Sequence, residues 1–401
     1  MSVSKQMKHL GEVRSVIRET FEYGKKRASE IGADKVFDYS LGNPSVPAPL
    51  CVEEAISTLL KTASPTDLHG YTSAPGDMNT REAIARHLRD TYGADIDAKG
   101  IYMTCGAAAS LTSTIHALAE EGDEFVVVAP FFPEYRVFVE KAGAKLVVVP
   151  AEPLHFTVDI QALEKALTPH TKALILNTPN NPTGVVLSKE ILLEVCRVLR
   201  EASARFGNLI YLITDEPYRE LVYDDIEVPF IPSLYDATVV CYSFSKSLSL
   251  PGERIGYVAV PNKMPDFADV FSAIAGAGRA LGFVCAPSLM QKVIPFCLGQ
   301  TASLDAYREN RDILYRALTE YGFTVVYPEG AFYLFMQSPI PSAPDFCLKA
   351  RDYELLLVPS DSFGCEGYVR ISYCVSKDMI LRSLPAFRAL AQFFGLTSEN
   401  S

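Results

Sequence analysis

A chain of 401 residues, 48% of them hydrophobic, exceeds what one apolar core usually fills, so two domains with a large interior are expected. Its formal charge of −11 and its lack of Lys/Arg runs exclude a nucleic-acid face built from clustered cations. Nine cysteines without a C-x-x-C pair and six scattered histidines give neither a disulfide framework nor a zinc site, so no metal is expected. Residues 1–14 lack an apolar h-region and no apolar run approaches a membrane span, which makes a reducing cytoplasm the expected location.

Residues 12–31 mix Val13, Val16, Ile17, Phe21 and Ala28 with charges at helical spacing and read as an amphipathic helix. Residues 36–41 read as a short strand, and the Pro-rich residues 42–49 as a rigid passage between domains. A loop over residues 70–76 leads into a helix over about 79–92. Residues 101–104 then read as a strand, and Gly106 with Ala107, Ala108, Ala109 and Ser110 opens a helix reaching about residue 119. Small residues in that first turn leave backbone N–H groups accessible at a positively polarised helix end, where an anion can sit. The same pattern also suits a helix packed tightly under a sheet.

Apolar runs follow at residues 124–129, 145–149, 173–177, 209–214, 238–242 and 255–260, alternating with helical patterns near 135–142, 160–167, 189–206 and 264–279. That alternation predicts an α/β fold with a mainly parallel sheet covered by helices on both faces, whose ligands bind beyond the carboxyl ends of the strands. After residue 287 the pattern becomes a long helical stretch (288–321), short strands near 324–327, 332–336, 355–359 and 368–373, and a helix over 377–394. The expected organisation is residues 1–48 as an N-terminal part of a small domain, 49–287 as the large domain, and 288–401 as the rest of a smaller α+β domain.

One lysine stands out. In Tyr242-Ser243-Phe244-Ser245-Lys246 it follows a buried strand directly, although removing an ammonium from water costs several kcal/mol. Eight positions on, Arg254 stands in Gly252-Glu253-Arg254-Ile255-Gly256. This spelling resembles the cofactor-lysine signature of the class I and II aminotransferases, fold type I enzymes that use pyridoxal phosphate. The resemblance runs through nearly the whole chain in order: Gly42, Tyr71, the Gly106 turn, Asn181, Asp215, Tyr218, S-x-S-K with Arg254, then Arg370. It implies a seven-stranded sheet and transfer of an amino group between an amino acid and a 2-oxo acid.

The cofactor's chemistry sets a requirement for each of these residues. Lys246 is the amine that forms the Schiff base and later moves the proton at the substrate Cα, with Arg254 and a low-dielectric pocket lowering its pKa. Asp215, at a strand end in Leu212-Ile213-Thr214-Asp215-Glu216-Pro217-Tyr218, is the carboxylate for the pyridine nitrogen; Glu216 competes, and a simple turn cap is the plain alternative. Tyr218 and Asn181, the latter in an otherwise ordinary Asn-Asn-Pro-Thr-Gly turn, are donors to the ring oxygen. Arg254, Ser243 and the N–H groups at Gly106, Ala107 and Ala108 anchor the phosphate. Phe132 is the aromatic plate over the ring, with Phe131 as its rival. Arg370, in an apolar strand, is the bidentate partner of the α-carboxylate unless it is a buried structural ion pair.

The resemblance further implies a homodimer in which Tyr71 reaches the neighbouring subunit's phosphate and Gly42 lines the carboxylate pocket. Arg279 lies near where some relatives hold a second substrate-binding arginine, in a different register. Some aspartate-specific relatives carry a lysine just after the phosphate-binding glycine, where this chain has Ala107 and Ala108. A C–S β-lyase of the same fold is the alternative activity, and a non-catalytic cofactor-sensing domain a remote one.

Overall fold

The structure, a computed structural model, describes residues 3–12, 15–153 and 155–396. Its strands are β1 (Phe37–Asp38), β2 (Ile101–Thr104), β3 (Glu124–Ala129), β4 (Lys145–Pro150), β5 (Thr171–Asn177), β6 (Tyr211–Asp215), β7 (Thr238–Ser243), β8 (Gly256–Ala259), β9 (Val325–Val326), β10 (Tyr333–Gln337), β11 (Leu355–Leu356), β12 (Val358–Pro359) and β13 (Tyr368–Ser372).

Seven of these form one sheet in the order β2-β8-β7-β6-β5-β3-β4. All pairings are parallel except those of β8, which runs antiparallel to both β2 and β7. The Val/Ile/Leu runs are continuous because helices cover both faces: every residue of β2, β7 and β8 is buried. One apolar cluster joins Leu111 and Ile115 of the helix Ala107–Leu118 to strand residues such as Val127 and Leu174. A second, including Ile84, Tyr242, Tyr257 and Ile294, fills the opposite side.

The covering helices carry their own stop signals. Ser188 caps the helix Lys189–Phe206 by accepting from Ile191 N–H, and Gly207 ends it in the left-handed conformation at φ 72°. Asp77 and Gly93 do the same for the helix Met78–Tyr92. Among the described residues no helix is long and apolar enough to cross a membrane.

The smaller layer is an antiparallel sheet in the order β12-β13-β10-β9, backed by the helices Leu304–Glu320 and Lys377–Phe393 around Leu314, Phe332, Phe346 and Phe387. β1 pairs in parallel with β11, tying the N-terminal segment to this layer.

Three expectations differ in detail. The stretch 288–321 is two helices, Ser288–Cys297 and Leu304–Glu320, broken where Gly299 adopts φ 78° and Ser303 starts the second. The first of them packs on the helices Leu50–Thr62 and Met78–Tyr92, so it sits with the larger sheet although the sequence pattern changes before it. The helix expected over residues 12–31 is observed as Val16–Ile31, and a separate helix, Lys5–Glu12, precedes it; Val13, expected in the former, lies outside the described residues.

Candidate active site

The carboxyl ends of β3, β5, β6 and β7 and the turn after β2 converge on a cleft of about 280 Å³, closed on its other side by β10 and β13. Gly42, Ala107, Ala108, Phe132, Asn181, Asp215, Tyr218, Ser243, Lys246, Arg254 and Arg370 all line it. The parallel strands deliver their ends to one edge, and the smaller layer adds Gly42 and Arg370 from more than 300 positions apart in the chain.

Lys246 sits in the short helix Phe244–Ser247 that follows β7. Its Nζ donates to the carbonyl of Gly42 at 2.6 Å and lies 5.4 Å from the centre of the Phe332 ring. Burial lowers its pKa to about 8; Cys374 opposes the shift, and the fields of Arg370 and Arg254 add to it.

Asp215 ends β6, and its side chain enters the cleft. Its Oδ2 accepts a hydrogen bond from the Tyr135 hydroxyl at 2.6 Å, while Oδ1 is buried and has no partner among the described residues. Desolvation raises its pKa to about 7, Glu216 adds to the rise, and the Tyr135 bond opposes it. Asn177 Nδ2 donates to the Asp215 carbonyl at 2.8 Å and fixes the strand end. Glu216, one residue later, turns away from the cleft and pairs with buried Arg219 at 2.6 Å, as strand alternation requires.

Asn181 Oδ1 accepts from Arg370 Nη1 at 3.1 Å, which leaves its amide N–H groups for another acceptor. The second Arg370 nitrogen, Nη2, donates to Ser40 O at 2.6 Å; Nε is buried without a partner among the described residues, and the guanidinium lies over the Tyr333 ring at 4.7 Å and the Phe363 ring at 5.2 Å. No carboxylate pairs with Arg370 among the described residues, so it is not the buried structural ion pair that the sequence leaves open.

A cup of donors closes the other end. Gly106 (φ 86°) caps the twelve-residue helix Ala107–Leu118, whose first two residues line the cleft. A Cβ at Gly106 would lie 2.7 Å from Arg254 Nη2, so only glycine lets the guanidinium approach. Arg254 itself holds a left-handed backbone at φ 50°, a conformation that costs about 1–3 kcal/mol for a non-glycine residue and that packing must sustain. Its Nη1 donates to Pro251 O at 2.9 Å, and Ser245 Oγ lies 3.5 Å away, itself 2.7 Å from Ser243 Oγ.

Phe132 lines the cleft and meets Tyr135 edge-on at 5.7 Å, whereas Phe131 is buried against Gly364. Tyr71, 98% exposed, and Arg279, exposed near the end of the helix Phe267–Ala280, lie outside this chain's cleft. Sequence reasoning missed Tyr135, Tyr333, Ser245 and Ile17. Ser245 had a visible signal in the paired hydroxyls of S-x-S-K; Tyr333 and Tyr135 look like core aromatics in apolar contexts.

The donor set fits a phosphorylated pyridine aldehyde. It comprises an orphaned carboxylate oxygen for a ring N–H, a cationic cup in which Gly106 lets the Arg254 guanidinium approach the helix end, and a buried amine of lowered pKa lining the same cleft.

A family model, aminotransferase class I and II, matches residues 34–387. A probable N-acetyl-LL-diaminopimelate aminotransferase of Bacillus subtilis is 30% identical over 88% of both chains. A probable aspartate/prephenate aminotransferase of Thermus aquaticus is 31% identical, covering 88% of this chain and 90% of its own. Among solved structures, an amino transferase from Eubacterium rectale superimposes with a TM-score of 0.96 at 52% identity, covering 98% of this chain and 99% of that one. The aspartate aminotransferase of Thermus thermophilus, solved with maleate, gives 0.85 at 26% identity, covering 97% of this chain and 100% of that one.

Proposed function

We propose that this chain, which belongs to the class I and II aminotransferases, carries out both halves of an amino-group transfer at the cleft around Lys246. It is an aminotransferase; the residue roles, the homodimer and the two-step (ping-pong) course are our reading of it. One observation carries that reading: a lysine with a lowered pKa, an aspartate oxygen without a partner and an uncommitted arginine edge meet in one cleft.

Pyridoxal phosphate, when bound, supplies an aldehyde carbon for amine capture and a ring that draws off the electrons left when the substrate Cα–H bond breaks. Arg254, Ser243, Ser245 and the N–H groups of Ala107 and Ala108 hold its phosphate, combining a charge with a helix end. The helix end contributes about 0.3–2 kcal/mol and a charge-assisted bond about 1.5–3 kcal/mol, so neither suffices alone. Asp215 holds a proton at the ring nitrogen, and Tyr135 keeps the carboxylate oriented for it. Asn181 and Tyr218 donate to the ring oxygen, and Phe132 covers one face.

Lys246 serves twice. With a pKa of about 8, a useful fraction is neutral near neutral pH, the form in which its nitrogen would hold the cofactor through the aldehyde carbon; the same nitrogen would take and return the proton at the substrate Cα. Arg370 receives the α-carboxylate on its planar fork, and Gly42 leaves room beside it for the Tyr333 hydroxyl.

The exposed Tyr71 supports a homodimer in which its ring and Arg279 serve the neighbouring site. Transamination is favoured over the C–S β-lyase alternative because the relatives above are named aminotransferases. Their names span diaminopimelate, aspartate and prephenate, so the side-chain class stays open. Turnover that requires an added 2-oxo acid tests the proposal; ammonia released from an amino acid without one would contradict it.

A further inference from the structure

Tyr333 stands where three parts of the site meet. Its hydroxyl lies 2.8 Å from that of Tyr218, with the two rings crossing edge-on at 5.8 Å. The Arg370 guanidinium lies over its ring at 4.7 Å. The same hydroxyl occupies the space that a side chain at Gly42 would need, and it has no other hydrogen-bond partner among the described residues.

We propose that Tyr333 is a positioning residue: its phenol donates to Tyr218, so that the Tyr218 proton goes to the cofactor's ring oxygen, while its ring holds the Arg370 guanidinium in the plane that receives the α-carboxylate. This rests on the reading of the cleft given above. Tyr218 has one proton and two lone pairs. A cofactor ring oxygen is an acceptor, so a Tyr218 proton spent on Tyr333 would leave that oxygen without one of its donors. The opposite polarity satisfies all three oxygens and strengthens the outer bond through the inner one.

The arginine is fixed in a complementary way. Asn181 and Ser40 engage its two terminal nitrogens, and the guanidinium lies over the rings of Tyr333 and Phe363 at 4.7 and 5.2 Å. Nε has no partner among the described residues, and each terminal nitrogen keeps a second N–H, so the fork still has donors to offer a carboxylate. The charged and titratable groups facing Tyr333 are Tyr218, Arg370 and Cys374, and those facing the cofactor position are Lys246, Asp215, Tyr218 and Arg254.

Two variants separate the two roles. Tyr333→Phe removes the hydroxyl and keeps the ring, and it should raise the pH midpoint of the bound cofactor's visible absorption by roughly half to one unit. The direction follows because a weaker donor at the ring oxygen leaves more negative charge there to hold the neighbouring proton. The same variant should leave affinity for a simple carboxylate inhibitor nearly unchanged, whereas Tyr333→Leu should weaken it about three- to tenfold. In a Tyr218→Phe background, adding Tyr333→Phe should move the midpoint no further.

An unmoved midpoint in Tyr333→Phe, or an equal shift with and without Tyr218, overturns the proposal, as does full carboxylate affinity in Tyr333→Leu. If the wild type develops no lysine-dependent visible absorption with added pyridoxal phosphate, the underlying reading of the cleft fails instead.

Discussion

Tyr135 donates its phenolic hydrogen to Asp215 Oδ2 across 2.6 Å, while the aspartate's other oxygen is buried without a partner among the described residues. A carboxylate in that position is held half-satisfied, which is costly in the free protein and useful when a protonated ring nitrogen arrives. The tyrosine therefore decides how readily Asp215 is charged when the cofactor binds.

Removing that bond with Tyr135→Phe should raise the aspartate pKa above about 7 and weaken pyridoxal phosphate binding about tenfold at pH 7. The deficit should shrink by pH 9, where the carboxylate is ionised with or without the tyrosine. Equilibrium titration at the two pH values checks this; equal affinities at pH 7 would detach Tyr135 from the charge of Asp215.

Asp215 should also limit the stability of the cofactor-free protein in a pH-dependent way. Its folded pKa of about 7 lies above its ordinary 3.8, so the folded state retains a proton that the unfolded chain has already released. Stability from this group is complete below about pH 4 and is lost as pH rises through about 7. Asn at this position has nothing to titrate and can still accept from Tyr135. Cofactor-free Asp215→Asn should therefore melt several degrees above wild type at pH 8, with a smaller gap at pH 5 and little amino-group transfer at either. A gap that does not depend on pH would contradict the assignment.

The phosphate cup makes a prediction from two directions. Arg254→Ala removes the charge and should weaken cofactor affinity by roughly one to two orders of magnitude. Gly106→Ala leaves the charge but places a methyl 2.7 Å from Arg254 Nη2 and forces alanine into φ 86°. It should weaken binding in the same direction, and the double variant should lose much less than the sum of the two, because both act on one guanidinium. Full additivity, measured by the same titration, would mean that the two residues serve different groups.

Much of this was legible in the chain itself. Val/Ile/Leu runs alternating with helical patterns announce a covered parallel sheet, and Lys246, Asp215, Asn181 and Arg370 declare themselves as polar residues where apolar strands end or pass. Tyr135 and Tyr333 do not, because an aromatic ring in an apolar stretch looks the same whether its hydroxyl meets water or an aspartate. The antiparallel course of β8 was hidden for a related reason: a short apolar run carries no record of its direction. The break at Gly299 was missed because the helical period resumes after it, and Phe132 separates from Phe131 only once Gly364 draws the latter into the core.

The most direct test of the account is a single half-reaction followed in the purified protein loaded with pyridoxal phosphate. Each amino acid is added without any 2-oxo acid, and the bound cofactor's absorption and the released oxo acid are measured together. We predict loss of the visible band with at least one amino acid and one 2-oxo acid formed per subunit, reversal on adding a 2-oxo acid, and no visible lysine-dependent band or conversion in Lys246→Ala. A loaded wild type whose band survives every amino acid, or a Lys246→Ala variant that converts as well as wild type, would contradict the account.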